Sequence, residues 1–284
     1  MKIVDFDKLS VLNLHYCQYT LDYFLDCMQE LGIKNVELLG GHQGLWLDPN
    51  EYQDPEPVRK KLKEHGLKCP VFTPQNCRFG YQFGVKEPEL REKTFGFFAN
   101  AIPSDGMQIE GAALGAEKME ANSGWGYWDE AEEDGLKRAT EMHQRLCEVA
   151  EENGVTIVAE SLRPQESRIG YSLQQMKQLF DLVDHPRFKV MIDLTAMSVS
   201  GETIQQWFDV FGKENIVHAH FQDCDPYGHY IWGEGKRNLR KDLEDMVKNG
   251  YEGYFTQELT APAYYLDPFR YDKRNVQNLR MYME

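Results

Sequence analysis

The chain has 284 residues, of which 42% are hydrophobic and 27% charged, a composition typical of a globular protein with a sizeable core. Its formal net charge of −15 argues against binding to nucleic acid, because a protein surface that binds phosphates needs clustered lysine and arginine. The same charge argues against binding to anionic membrane surfaces. No apolar run approaches the ~18 residues of a membrane span, and the start, MKIVDFDKLS, lacks a signal-peptide core. The six cysteines form no C-x-x-C pair and show no spacing of a disulfide framework. We therefore expect them to be reduced thiols and the protein to be cytoplasmic.

Short β-rich runs alternate with longer amphipathic stretches along the chain. The predicted strands are, in chain order, 10–16, 35–41, 68–74, 116–124, 156–161, 188–193, 215–221 and 253–259. Amphipathic helices are predicted between them, including 21–33, 132–154 and 238–250, and Gly32 and Gly154 sit where C-cap glycines are expected. Eight strand–helix units of about 30–35 residues favour a (β/α)8 barrel. An open sheet is less favoured because no glycine-rich phosphate turn follows the first strand.

We therefore predict an α/β fold with a single domain, a (β/α)8 TIM barrel spanning residues 1–284. The last segment, about 261–284, is aromatic and charged. It is predicted to be the closing helix plus an arm that packs on the barrel or on a partner subunit. The stretch 102–115 departs from helical periodicity at Pro103 and Gly106, which indicates either a broken helix or an insertion.

Polar side chains end four consecutive predicted strands, and barrel enzymes place their active sites at that end. These residues, on strands five to eight, are Glu160, Asp193, His220 and Glu258. Clustered carboxylates raise one another's pKa, so such a set requires a cation or a shared proton. Three carboxylates with one imidazole suit Mn²⁺, Mg²⁺ or Co²⁺. The pattern predicts a divalent metal site.

Each of these residues taken alone also has a structural interpretation. An aspartate after an apolar strand is commonly the N-cap of the next helix, and a lone histidine is commonly a hydrogen-bonded core residue. In NIVHAHF, His218 and His220 point the same way because strand side chains alternate faces. We expect His220, nearer the strand end, to be the ligand and His218 to lie beneath it. Asp223 is expected to orient the histidine or a metal-bound water.

Taken together, the motifs VAESL, VMID, HAHFQD and TQEL resemble those of the xylose-isomerase-like barrel superfamily over essentially the whole chain. The resemblance to its ketose 3-epimerases implies that the four strand-end residues ligate a metal, with Mn²⁺ the first choice. It implies that Glu160 and Glu258 move a proton beside a carbonyl from opposite sides, through a metal-stabilised enediolate. The function so implied is that of a sugar isomerase or epimerase that acts on a keto-sugar or related polyol. The resemblance also implies that the protein forms a homo-oligomer.

Six further side chains are predicted to contact the substrate at the mouth of the barrel: Glu166, Arg163, His229, Trp125, His15 and His42. Glu166 matches a substrate-hydroxyl contact in the ketose 3-epimerases. Trp125 could stack on a sugar face or belong to an aromatic lid. His229 could replace a lost substrate contact or lie in a surface loop.

Two residues depart from the ketose 3-epimerase pattern. Ala196 stands where those epimerases carry a histidine, and Pro226 stands where they carry an arginine. Both missing side chains hold oxygens of the keto-sugar, so a free ketose is the less secure substrate. The alternative is a lyase, either a C-glycoside deglycosidase with a small second subunit or an inosose-type dehydratase. It would eliminate a substituent from a 3-keto sugar. A nuclease of the endonuclease IV type would need more histidines and a basic surface.

Overall fold

The computed structural model describes residues 2–40, 45–75, 80–102 and 113–284. Eight parallel strands close into a barrel in chain order, which confirms the predicted (β/α)8 fold. The strands are β1 Leu9–Leu12, β2 Asn35–Gly40, β3 Lys68–Pro74, β4 Lys118–Asn122, β5 Thr156–Glu160, β6 Phe188–Asp193, β7 Ile216–His220 and β8 Phe255–Gln257.

Nine α-helices lie within the described residues. They are α1 Leu21–Glu30, α2 Glu56–Glu64, α3 Pro88–Ala99, α4 Glu132–Glu152, α5 Leu173–Val183, α6 Leu194–Val199, α7 Ile204–Phe211, α8 Leu239–Lys248 and α9 Pro268–Met283. Short 3₁₀ helices span Phe6–Lys8, Asn13–Tyr16, Ala113–Gly115 and Pro262–Tyr265. Gly32 and Gly154 follow α1 and α4 with φ of 71° and 69°, as predicted for C-cap glycines. In these described ranges, no helix is both long and apolar enough to cross a membrane.

Some sequence predictions fall on residues outside the described ranges. Five of the six cysteines are described and all five are free thiols, as expected for reduced cysteines, whereas Cys77 lies outside those ranges. Pro103 and Gly106 also lie outside them. The interpretation of 102–115 therefore stays a prediction.

The chain forms two compact units, one of which comprises the described residues of Leu39–Arg59 and Pro70–Val190. In this unit β3 pairs with β4, β4 with β5 and β5 with the start of β6. The long helix α4 buries one face, in which His143 stacks on Phe83 with ring centroids 4.3 Å apart. Burial lowers the pKa of His143 to about 3, so its ring is a neutral core group.

The other unit comprises the chain up to Leu38, Lys60–Cys69 and Met191–Glu284. Here β7 pairs with β8, β8 with β1 and β1 with β2, all in parallel. Because the strands are parallel, their carboxyl ends meet at one edge of this sheet. Helix α6 begins directly at the end of β6, without an intervening loop.

The C-terminal helix α9 packs within this second unit through a buried polar cluster. The Asp272 carboxylate accepts a hydrogen bond from the Tyr16 hydroxyl at 2.7 Å and lies 3.0 Å from Nε2 of His15. All three side chains are buried. The predicted closing helix is therefore present and packs on its own chain. The limits of the single predicted domain stay a prediction.

Strand β1 is shorter than predicted. The expected strand 10–16 ends at Leu12, and Asn13–Tyr16 form a 3₁₀ helix. The run LNLHY looks like a strand because its apolar and polar residues alternate. The side chain of His15 instead turns to a partner 257 residues later in the chain, Asp272, which no local pattern can indicate.

The Asp272 cluster predicts a stability effect. The Asp272→Asn variant is expected to lower the free energy of unfolding by about 2–3 kcal/mol, because an amide leaves a buried partner without its charged acceptor. Urea unfolding followed by circular dichroism measures it. The matched control is Asp267→Asn at the exposed start of the same helix, expected within about 0.5 kcal/mol of the wild type. Equal stability of the two variants would contradict the importance of the cluster.

Candidate metal centre

Asp193 is the N-cap of α6, and its role as a metal ligand stays a prediction. It is the last residue of β6 and is buried. Its Oδ1 accepts a hydrogen bond from the backbone N–H of Ala196 at 2.5 Å, which caps α6. Its Oδ2 accepts one from Nε2 of Gln222 at 2.8 Å and lies 3.9 Å from Nδ1 of His220. The N-cap therefore holds the carboxylate while its second oxygen faces the centre.

His220 ends β7 and presents its two ring nitrogens to different carboxylates. Nδ1 lies 3.3 Å from Oε2 of Glu258, while Nε2 lies 3.1 Å from Oε1 of Glu37. The side chain is almost completely buried. The ring thus links the interior of the barrel to the strand ends.

Glu258 directly follows β8, which ends at Gln257 and not at Leu259 as predicted. Its Oε2 lies 3.1 Å from Nδ1 of His229 and 3.3 Å from Nδ1 of His220. Burial raises the pKa of Glu258, but the two neighbouring histidines outweigh burial and hold that pKa well below its usual range. The carboxylate is therefore ionised at neutral pH.

Glu37 is a functional candidate that the sequence reasoning missed. It lies on β2 and its side chain has no exposed surface. Its two oxygens meet two histidines: Oε2 is 2.7 Å from Nε2 of His218 and Oε1 is 3.1 Å from Nε2 of His220. His218 lies beneath His220 in the strand, as predicted. The available signal was a single acid inside the apolar run NVELLGG.

The donor set of this unit fits a divalent cation. Asp193, His220 and Glu258 each offer a ligand atom within 4.8 Å of the others. Two carboxylates and an imidazole are donors that Mn²⁺, Mg²⁺ or Co²⁺ accept. Glu160, in the other unit, is the last residue of β5 and is half-buried. Its role as a fourth ligand stays a prediction.

The loop after β7, which carries His229, is held together by Asp223. This carboxylate accepts hydrogen bonds from the backbone N–H groups of Gly233 at 3.0 Å, Gly235 at 2.8 Å and Arg237 at 2.9 Å. We expected Asp223 to orient the histidine or a metal-bound water. That expectation was wrong, because both oxygens are engaged by the loop backbone.

The C-terminal segment braces the same loop. The Tyr264 hydroxyl accepts a hydrogen bond from the backbone N–H of Ile231 at 3.1 Å, and Oδ1 of Asn275 accepts one from that of Trp232 at 2.9 Å. Nδ2 of Asn275 in turn donates to Oε1 of Gln257, the last residue of β8, at 2.8 Å. The β7 loop is therefore anchored to the strand that precedes Glu258.

Two predicted substrate contacts pair with each other. Nε of Arg163 donates a hydrogen bond to Oε2 of Glu166 at 2.8 Å, and the same guanidinium makes a second, short contact with the other oxygen. A bidentate pair of this kind fixes both side chains in the loop after β5. A substrate contact by either residue stays a prediction.

The remaining predicted contacts lie in different surroundings. Trp125 is half-buried in the loop after β4, where its carbonyl accepts a hydrogen bond from the Arg168 backbone N–H at 2.6 Å. His15 is completely buried and is held by Asp272 beyond the end of β1. His42 lies outside the described residues. Direct substrate contact by these three residues stays a prediction, whereas His229 does lie beside Glu258.

Known proteins resemble this chain along nearly its full length. It is 27% identical over 280 residues to fructoselysine 3-epimerase from Shigella flexneri, covering 96% of this chain and 97% of that protein. The structure of D-psicose 3-epimerase from Clostridium cellulolyticum H10 matches with a TM-score of 0.74 at 15% identity, over 97% of this chain and 99% of the other. That of 3-keto-D-glucoside 4-epimerase from E. coli matches with a TM-score of 0.75 at 16% identity, over 96% and 99%.

The two structural likenesses show a shared fold. Family membership is shown by sequence, because the family described as Xylose isomerase-like TIM barrel matches residues 25–280. With its closed eight-stranded barrel and this match over most of its length, the chain belongs to the xylose isomerase-like TIM barrel family.

Proposed function

We propose that this protein is a divalent-metal-dependent sugar epimerase that moves a proton on the carbon beside a ketone. The observation that carries the proposal is the convergence of Asp193, His220 and Glu258 at the ends of β6, β7 and β8. The likeness to fructoselysine 3-epimerase over 96% of the chain supports the same class of reaction.

In this proposal Asp193, His220, Glu258 and Glu160 would hold the cation, with Oδ2 of Asp193 and Nδ1 of His220 as the available donor atoms. The closed parallel barrel supports adding Glu160, because all its strands direct their carboxyl ends to one rim. When bound, the cation supplies a Lewis acid that polarises the substrate carbonyl and stabilises the charge of an enediolate. Mn²⁺ is the first choice for this oxygen-rich set, with Mg²⁺ and Co²⁺ as alternatives.

Glu258 is well suited to act as a general base. An ionised carboxylate accepts a proton, and its two oxygens allow one to ligate while the other transfers the proton. His229, 3.1 Å away, constrains the position of the carboxylate. Epimerisation also needs a group that returns a proton from the opposite side, and we assign that role to Glu160.

The substrate that we propose is a ketose carrying a substituent, as in the ketose–amine conjugate that the relative fructoselysine 3-epimerase acts on. Ala196 offers only a buried methyl group where the ketose 3-epimerases carry a histidine. Pro226 likewise supplies no donor in the β7 loop. Losing two polar contacts disfavours a small free ketose, whose hydroxyls would be left unpaired.

Incubation with substrates in D₂O tests the reaction class. Free ketoses, ketose–amine conjugates and 3-keto-glycosides are supplied in parallel and followed by NMR. We expect a deuterated 3-epimer from the ketose–amine conjugate, formed faster than from free ketoses. Release of an unsaturated sugar or an aglycone would contradict the epimerase and establish the lyase alternative.

Removal of metal tests the cofactor. Dialysis against EDTA is expected to abolish epimerisation, and Mn²⁺ or Co²⁺ is expected to restore it, because the clustered carboxylates need the cation's charge. Atomic absorption before and after dialysis verifies the metal content. Full activity of the metal-free enzyme would contradict the proposed metal centre.

The Glu258→Gln variant tests the proton transfer. At saturating Mn²⁺ it is expected to lose at least about 100-fold in the rate of deuterium incorporation, since the amide cannot accept the proton. The matched control is Glu252→Gln, an exposed residue just before β8, expected at the wild-type rate. Undiminished exchange by Glu258→Gln would assign the base to another residue.

A further inference from the structure

Glu37 is a carboxylate buried inside the barrel, where an ionised acid is costly unless it is paired. Each oxygen serves one imidazole, at 2.7 and 3.1 Å. The carboxylate is thus oriented by two separate contacts on a rigid strand.

The contact with Glu37 decides which nitrogen of His220 carries the proton. A carboxylate only accepts hydrogen bonds, so the nitrogen facing Oε1 of Glu37, Nε2, must be the N–H donor. Nδ1 is then the nitrogen that can release its proton and bind a cation. It lies on the side of the ring where Glu258 is 3.3 Å and Asp193 3.9 Å away.

This arrangement has the form of a carboxylate–histidine–metal chain, in which the outer carboxylate fixes the tautomer and orientation of the ligand. We propose that Glu37 is a positioning residue that locks His220 as the Nε2–H tautomer and thereby presents Nδ1 to the cation. The effect on metal binding rests on the proposed function, whereas the hydrogen bond from His220 Nε2 to Glu37 belongs to the metal-free protein.

His218 completes the arrangement from below. Its Nε2, 2.7 Å from Oε2 of Glu37, occupies the second oxygen and prevents the carboxylate from turning away from His220. Glu37, His218 and His220 also lie close enough together to be considered as a metal site of their own. A second cation there would have to displace the proton of His220 Nε2, so the positioning role accounts for these contacts with fewer changes.

The first experiment measures Mn²⁺ affinity by isothermal titration calorimetry for the wild type, Glu37→Gln and Glu37→Leu. Loss of the outer carboxylate is expected to raise the Kd about 10–100-fold, with the larger effect in the leucine variant. The matched control is Glu130→Gln, which removes a largely buried charge paired with Lys86 and Arg138 in the unit that does not contain His220. The Kd of that variant is expected within about twofold of the wild type.

The second experiment reads the tautomer directly in metal-free wild-type protein. ¹⁵N-histidine is incorporated, and the ring signals of His220 are assigned by their absence in His220→Gln. We expect Nε2 of His220 to carry a proton that is hydrogen-bonded to Glu37. This measurement needs no variant of Glu37 to fold.

The outcomes separate this proposal from the proposed function. An unprotonated Nε2 on His220, or an unchanged Kd in both Glu37 variants, would overturn the role of Glu37. Failure of wild-type protein to bind Mn²⁺ would contradict the proposed metal centre instead, and the tautomer measurement would still decide the Glu37 assignment.

Discussion

The imidazole of His220 lies between two buried or half-buried carboxylates, and the geometry of the candidate centre depends on that placement. On one side Glu37 holds Nε2, and on the other Glu258 faces Nδ1. Carboxylates this close to one another repel, and burial weakens the screening that water would provide. The histidines compensate by stabilising both acids in the ionised form, as the lowered pKa values of Glu37 and Glu258 record. An ionised cluster of this kind is well suited to a divalent cation.

The surroundings of the centre reduce its freedom to rearrange. Asp193 is fixed because one oxygen caps α6 and the other accepts from Gln222. His229 lies on a loop whose backbone N–H groups donate hydrogen bonds to the Asp223 carboxylate and to the Tyr264 hydroxyl. Such preorganisation matters in proton transfer, where small displacements of a base cost large factors in rate. The C-terminal segment therefore supports the candidate site through its contacts with the β7 loop and with Gln257.

The contacts of α9 explain why this long C-terminal helix carries buried polar residues. Asp272 and Asn275 lie three residues apart on the buried face of α9, so they reach neighbouring parts of the fold. Asp272 holds the turn after β1, and Asn275 holds Gln257 and the β7 loop. An apolar stripe would have packed as well but could not have satisfied the backbone N–H of the loop.

Sequence reasoning succeeded where local pattern and chain spacing carried the information. Alternating strand and helix periods, with glycines after α1 and α4, predicted the barrel. The same spacing placed Asp193 and Glu258 at strand ends, and their role as ligands stays a prediction. It failed where a distant partner decides the conformation. The run LNLHY read as strand because its pattern is ambiguous, and Asp223 read as a ligand orienter because its loop contacts lie 10 to 14 residues away.

What the sequence by itself determined is the architecture and the residue types that stand at the strand ends. Eight similar units bring their strand ends to one rim, so the residue types at those ends could be read in order. Only the tertiary structure decided how each side chain is used. Glu37 and His220 are 183 residues apart, and their pairing, with Nδ1 left to face the strand ends, arises because β2 and β7 each direct a side chain into the barrel interior. Hydrogen-bond direction depends on three-dimensional placement, which one-dimensional spacing does not contain.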